Sequence, residues 1–189
     1  MTRKNSGDNS GIGVPNFELE YDDRLDFIEV IVSFKGCGAE LGNAIKILTP
    51  AQLGEDARGL KEFVVDTVIK AGGKPCPPYA LGIGIGGQMD IAAKLSRRAV
   101  SVRLWNDHNP APDLDRLEGE LLAMINELGI GPGGAGGRTT ALAVKIGLAY
   151  THTAICPVAV NFYCWVARRS GMIIYPDGRV RYLFEEQGE

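Results

Sequence analysis

The run Lys74–Asp90, KPCPPYALGIGIGGQMD, leaves the chain few ways to fold around it. Pro75, Pro77 and Pro78 lack a backbone N–H and fix φ, so Cys76 is stiffly held between them. Tyr79 to Ile85 is a short apolar run read as a strand. Gly82, Gly84, Gly86 and Gly87 strip side chains from its second half. From Met89 to about Leu104 the apolar set Ile91, Ala92, Leu95, Ala99 and Val102 has helical spacing. A thiol thus stands ahead of a strand, and a bare-backbone loop follows it. Glycine clusters mean that backbone comes close to something, either a ligand or other backbone.

The chain has 189 residues, enough for one large or two small domains, with one the default. Residues 1–15 are rich in Asn, Gly and Asp and read as an extended arm. Residues 16–189 read as a single domain. At 45% hydrophobic and 23% charged, the composition permits a real core. The formal net charge of -3 offers no general attraction to nucleic acid or an anionic membrane. No apolar run reaches the ~18–20 residues of a spanning helix, and no apolar signal core follows Arg3 and Lys4. The expected location is the cytoplasm. There, Cys37, Cys76, Cys156 and Cys164 are expected as free or metal-bound thiols rather than disulfides.

Taken in order, Asn16–Asp22 alternates with Phe17, Leu19 and Tyr21 on one face, a strand signal. Asp26–Lys35 reads as a more fully buried strand. A glycine corner at Gly36–Glu40 precedes an expected short helix, Leu41–Leu48. Thr49–Pro50 restarts a helix, with Thr as N-cap. Leu60, Phe63, Val64, Thr67 and Val68 carry a longer one, ended by Gly72–Gly73. Asp113 is read as the cap of another, reaching about Leu128. Ala141–Tyr150 and Val158–Val166 are strand candidates. Arg168–Gly171 is read as a turn. Met172–Tyr175 and Arg179–Phe184 form a hairpin around Pro176-Asp177-Gly178. Strands and helices mix without strict alternation, so the expected class is α/β (mixed α+β), a mixed sheet with packed helices.

Several chemistries compete for these residues. Gly82-x-Gly84-x-x-Gly87 matches a dinucleotide fingerprint between strand and helix, but the acid due roughly 20 residues on falls near Asp107, off any second strand. A purely structural glycine corner is the alternative. Gly131–Thr140 resembles a phosphate loop, yet Pro132 and Arg138 stand where a Walker loop needs Gly and Lys. An anion cradle of N–H groups remains open there. The cysteines show no CxxC or zinc-ribbon spacing. By pattern alone each is a small core residue before it is a ligand. Cys76 departs from that through its prolines, and Cys164 through the nearby Arg168–Arg169 pair, which favours a thiolate. His152, in an apolar region, reads by pattern as a hydrogen-bonded core residue.

Four stretches together resemble one family: KPCPPYALGIGIGG, GIGPGGAGGRTTALAV, THTAICPVAVNFYC with ARR, and the opening RKNSGDNS. They are similar to the α component of class I fumarate hydratases and L-tartrate dehydratases. The likeness runs from Arg3 to about Arg169. It implies a hydro-lyase acting on a small dicarboxylate through a [4Fe–4S] cluster held by three cysteines. The remaining iron acts as an open Lewis acid. Under this resemblance Cys76 and Cys164 are the second and third cluster ligands. Arg3 binds a substrate carboxylate, Gly36, Ala39, Glu40 and Asn43 form a substrate turn, and His152 is a catalytic residue.

The departures define what else is expected. The family's first ligand lies in a Cys-Gln-Asp-Thr-Gly stretch ahead of the Asn-rich run, and this chain starts at that run. The family's Gly-Gly-Gly-Ser-Glu-Asn turn is here Gly36-Cys37-Gly38-Ala39-Glu40-Leu41. Tyr163 and Trp165 replace a Gln and a His beside the third ligand. Two readings follow. One is a truncated or split α subunit, completed by a missing N-terminal segment and a β-type partner in a homo- or hetero-oligomer. The other is a degenerate paralogue that binds a dicarboxylate or serves as an accessory subunit. Two thiolates hold a cubane poorly, so the chain alone is expected to be inactive under either.

Overall fold

The computed structural model describes residue 13 and residues 15–184. These fall into two compact units: Ile31–Gly171, and the described parts of Met1–Val30 and Met172–Glu189. The larger unit is built on a mixed four-stranded sheet. Its order is β2 (Ala44–Leu48), β5 (Cys156–Tyr163), β3 (Tyr79–Ile85), β4 (Ala141–Leu148). β3 runs parallel to β4 and antiparallel to β5, and β2 is antiparallel to β5. The mixed α/β class expected from the sequence is the one observed.

Period-two alternation divides the sheet between two helical layers. Tyr79, Leu81, Ile83 and Ile85 of β3 join Val158, Val160 and Phe162 of β5 on one face. There they meet Leu60, Val64 and Val68 of α2 (Arg58–Ala71) and Leu117, Leu121 and Ile125 of α4 (Pro112–Glu127). On the other face Ala80, Ala143 and Tyr163 pack with Val100 of α3 (Met89–Val102). α3 lies on bare backbone. A Cβ built on Gly82 would fall 1.8 Å from the Ser96 carbonyl oxygen, and one on Gly84 1.9 Å from that of Ala92. The glycines of the opening motif are therefore the seat of a helix.

β4 is an edge strand, and side chains rather than another strand cover its free edge. Asn126 of α4 accepts from the Thr140 and Ala141 amides at 2.8 and 2.9 Å and donates to the Ala141 carbonyl at 3.1 Å. Two turns earlier, Glu118 accepts from the Ile146 amide at 2.8 Å, while Arg103 and Asn109 donate to the Ile146 carbonyl. Lys145, nearly fully buried, pairs with Asp107 at 2.8 Å, and Arg103 pairs with both Asp107 and Glu118. Burial works against ionising Asp107, but hydrogen bonds from Arg103 and Lys145 hold its pKa below the usual carboxylate value.

Several expectations are corrected. Leu41–Leu48 is not a helix: a 3₁₀ turn at Cys37–Gly42 leads into β2. Residues 16–22 form no strand, and Phe17, Leu19 and Tyr21 are exposed. β1 (Ile28–Phe34) exists but is not buried, since Ile28, Val32 and Phe34 face solvent. Arg168–Gly171 is no turn but the first half of β6 (Arg168–Ile174), which pairs antiparallel with β7 (Val180–Tyr182). Asp113 does not cap α4. It lies in the first turn after Pro112, where its charge still favours the helix dipole. Among the described residues no helix is long and apolar enough to cross a membrane.

Candidate metal centre at the cysteine end of the sheet

The antiparallel register brings two distant cysteines to one end of the sheet. Ala80 of β3 pairs with Tyr163 of β5. Cys76 lies just ahead of the first strand and Cys164 directly after the second, so both leave the sheet on the same side. Cys76 is exposed and sits at φ +59°, a left-handed backbone that L residues adopt at a cost of roughly 1–2 kcal/mol. A costly conformation of this kind persists where surrounding structure imposes it, and it is a marker of functional positions.

The glycine-rich loop at 131–140 imposes it. Gly133 donates its N–H to the Pro77 carbonyl at 2.8 Å. A Cβ on Gly134 would lie 2.7 Å from the Gly73 Cα, so two bare backbones touch beneath the cysteine loop. Gly131 donates to the Thr140 hydroxyl, and the N–H groups of Gly134, Ala135 and Gly136 donate to carbonyls of their own loop. These amides are spent on acceptors within the protein, so they do not form an anion cradle. The loop is a buttress for Cys76. The first glycine motif fails as a phosphate site for the same reason: Gly86 and Gly87 donate to the Pro157 and Tyr150 carbonyls.

A third segment, 34–43, lies across the end of β5 and is pinned twice. The Tyr163 hydroxyl donates to the Phe34 carbonyl at 2.5 Å, and the Asn43 side-chain oxygen accepts from the Phe162 amide at 2.9 Å. Between the pins, a Cβ on Gly36 would lie 3.7 Å from the Cys164 sulfur. Gly42 closes on the other side, where a Cβ would sit 2.8 Å from Pro75 and 2.7 Å from the Phe162 ring. The turn at Gly36–Asn43 therefore spans from Cys164 to the Cys76 loop. Ala39 is buried in the core. Glu40 pairs with Lys35 and accepts from Asn43 at 2.6 Å, so the polar atoms of Asn43 hold the turn together. Burial pushes the Lys35 ammonium pKa down even with Glu40 beside it.

Other expected site residues are placed elsewhere. His152 lies between β4 and β5 at the opposite end of the sheet, where Thr151 donates to the Gly87 carbonyl and His152 accepts from the Ala154 amide. The seven residues of β3 separate it from the cysteine end by about 20 Å. Cys156, which starts β5, is at that far end too, and burial raises its pKa. Arg3 lies outside the described residues. Arg168 donates to the Val166 and Ala167 carbonyls, and Arg169 to the Arg103 and Val100 carbonyls. Both guanidinium groups are thus engaged by backbone. A surface depression of about 770 Å³, lined by Asp56, Lys61 and Glu62 near the start of α2, is remote from the cysteines.

The register brings two free thiols of this chain, Cys76 and Cys164, to the cysteine end. Among the described residues no three His, Cys, Asp or Glu side chains stand close enough to hold one metal ion.

The family model for fumarate hydratase (fumerase) matches residues 1–173, nearly the whole chain. The chain belongs to the fumarate hydratase family. Both cysteines, both glycine loops and the 36–43 turn lie within the match. Among curated relatives, the "Putative L(+)-tartrate dehydratase subunit alpha" of Methanocaldococcus jannaschii is 44% identical over 171 residues, covering 90% of this chain and 59% of that protein. The L(+)-tartrate dehydratase subunit alpha of Escherichia coli K12 is 34% identical over 173 residues, 92% of this chain and 56% of that one. The "Putative fumarate hydratase class I" of Geobacillus stearothermophilus is 33% identical, with 98% of this chain matching 37% of its length. The chain thus spans between about a third and three fifths of these relatives.

Proposed function

We propose that this chain is an α-type subunit, or a part of one, of an iron–sulfur hydro-lyase that hydrates fumarate or a related dicarboxylate reversibly. The observation that carries the reading is the arrival of Cys76 and Cys164 at one end of the sheet, with the Gly36–Asn43 turn laid across it. Cys76 and Cys164 would hold a [4Fe–4S] cluster, which when bound supplies an open iron as a Lewis acid for a substrate hydroxyl. The chain's own part is positional. The glycine buttress fixes the Cys76 loop. The turn with Gly36, Ala39, Glu40 and Asn43 forms a wall beside Cys164 against which a small dicarboxylate is oriented. Arg3 supplies a carboxylate partner in this reading. His152 can take the catalytic role given by the resemblance only from another chain, because its own sheet separates it from these thiols. That requirement, and the α-subunit names of two relatives, support an oligomer with a β-type partner. We take residues 16–189 as one functional domain, working in the reducing cytoplasm where thiols stay free.

A second reading has its own support. Tyr163 and Trp165 occupy positions where the resemblance expects Gln and His, and the Tyr163 hydroxyl is already engaged by Phe34. A chain so altered fits a non-catalytic, dicarboxylate-binding or accessory subunit. Anaerobic reconstitution with a β-type partner, followed by assays of fumarate and mesaconate hydration and tartrate dehydration, separates the two. The hydro-lyase reading predicts turnover of one of them by the complex, abolished by Cys76→Ser. A cluster-loaded complex that turns over none of the three establishes the accessory reading instead.

A further inference from the structure

The cysteine end of the sheet concentrates positive charge in a chain whose formal net charge is -3. The segments that meet there, 34–43, 71–79, 129–140 and 164–169, carry five basic residues, Lys35, Lys74, Arg138, Arg168 and Arg169, against one acid, Glu40. Lys35 pairs with Glu40. Arg168 and Arg169 donate to backbone carbonyls, which leaves their charge uncancelled. Lys74 and Arg138 differ from all three. Both are exposed, and among the described residues neither side chain has a hydrogen bond or ion pair. They stand on two loops that touch. Gly73, next to Lys74, packs against Gly134, where a built Cβ would lie 2.7 Å from the Gly73 Cα. The Gly133 N–H donates to the Pro77 carbonyl at 2.8 Å, and the Tyr79 N–H donates to the Thr140 carbonyl at 3.2 Å. The loop that carries Arg138 is thus tied to the Cys76 loop before and after Arg138. The Cys76 sulfur itself lies 3.9 Å from the Lys74 carbonyl oxygen.

We propose that Lys74 and Arg138 capture a carboxylate of a small dicarboxylate dianion at the cysteine end. The proposal rests on the dicarboxylate part of the proposed function and deepens it: a dianion has two carboxylates, and Arg3 answers only one. The amides of the 131–136 loop are already spent, so side chains are left to hold an anion here. Lys35 would have to leave Glu40 to do so, whereas Lys74 and Arg138 give up no ion pair when an anion arrives. A region lined by one sign of charge raises the local concentration of the opposite ion. The two heads are complementary as well: the Arg138 guanidinium can offer a carboxylate two parallel N–H bonds, and the Lys74 ammonium adds a compact point charge.

The test titrates the full chain with succinate, an unreactive dicarboxylate, and reads binding by saturation-transfer NMR at low salt and neutral pH. Succinamide, its uncharged counterpart, and sulfate, a dianion of another shape, are run beside it. Wild type should bind succinate and not succinamide. Lys74→Gln and Arg138→Gln should each weaken succinate binding about threefold, and the double variant about tenfold. Both positions are exposed, so the substitutions leave the core intact. Lys94→Gln removes another exposed cation without a partner among the described residues, one placed on α3, and should leave binding unchanged. Wild type that binds no succinate, or binding unchanged in both variants, overturns the proposal. So does an equal loss in Lys94→Gln, or sulfate displacing succinate at equal concentration, since either marks a general attraction for anions. Turnover by the complex with a β-type partner is a separate readout. A complex without turnover, whose chain still binds succinate through Lys74 and Arg138, sinks the hydro-lyase reading and keeps this inference. Turnover with succinate binding unchanged in both variants does the reverse.

Discussion

Replacing Gly84 by Ala tests whether the glycine motif seats a helix. The new Cβ would lie 1.9 Å from the Ala92 carbonyl oxygen and 2.7 Å from the Ser96 nitrogen, both backbone atoms of α3. Backbone cannot swing aside as a side-chain tip can. To restore an ordinary contact near about 3.4 Å, α3 must retreat by roughly 1.5 Å. That motion lifts Ala92, Ser96, Ala99, Val100 and Ser101 away from the sheet. A gap of about 0.5–1 Å already forfeits a quarter to a half of the dispersion well, and overpacking of a core costs about 1–3 kcal/mol. The expected loss is about 3 kcal/mol, the upper end, since the obstacle is a helix backbone. For a chain of this size that lowers Tm by roughly 6–12 °C. The assay is a thermal melt followed by far-ultraviolet circular dichroism, beside Gly119→Ala as a control. Gly119 lies on the exposed face of α4 with nothing within 4 Å of a Cβ, so that change should stabilise by about 0.5–1 kcal/mol. A Gly84→Ala protein melting within about 1 °C of wild type would refute the packing argument. Loss of dinucleotide binding with unchanged stability would restore the phosphate reading.

Two further outcomes follow from the edge of β4. Asn126→Ala removes the acceptor for the Thr140 and Ala141 amides. It should cost about 2–3 kcal/mol and speed hydrogen exchange at both amides, measured by mass spectrometry. Asp107 has a pKa held below its ordinary value by Arg103 and Lys145, so its ionised form adds stability above the unfolded value of about 3.9. That contribution is lost as pH falls through the lower folded value. Asp107→Asn should therefore be less stable than wild type at pH 7, and the difference should shrink below about pH 4. Parallel melts from acid to neutral pH give the comparison, and a gap that widens in acid would contradict it.

The strongest periodic signals were the ones that located real elements. Tyr79–Ile85 is the observed β3, and the helical spacing from Leu60 and from Met89 marks α2 and α3. What failed depended on long-range partners. Leu41, Ile45 and Leu48 fit a helical spacing as well as a strand, and only pairing with β5 makes Ala44–Leu48 a strand. Phe17, Leu19 and Tyr21 alternate correctly yet stay exposed and unpaired in any strand. The buried ions were legible only as oddities, Lys145 inside the apolar run ALAVKIGL and Glu118 beside Leu117 on the inner face of α4. Their partners lie tens of residues away. At the site, sequence pointed to Cys76 and Cys164 through a resemblance. Their common end of the sheet comes from the β3–β5 register, which no local pattern encodes. The same register separates His152 from them.

The proposed centre requires that Cys76 and Cys164 hold one cluster. Iron K-edge absorption of the chain loaded anaerobically in complex with a β-type partner, set against Cys76→Ser, Cys164→Ser and Cys156→Ser, measures it. The expected result is the iron–iron distance signature of a cubane in wild type and Cys156→Ser, and its loss in both other variants. A cubane signature that survives Cys76→Ser and Cys164→Ser alike would contradict it.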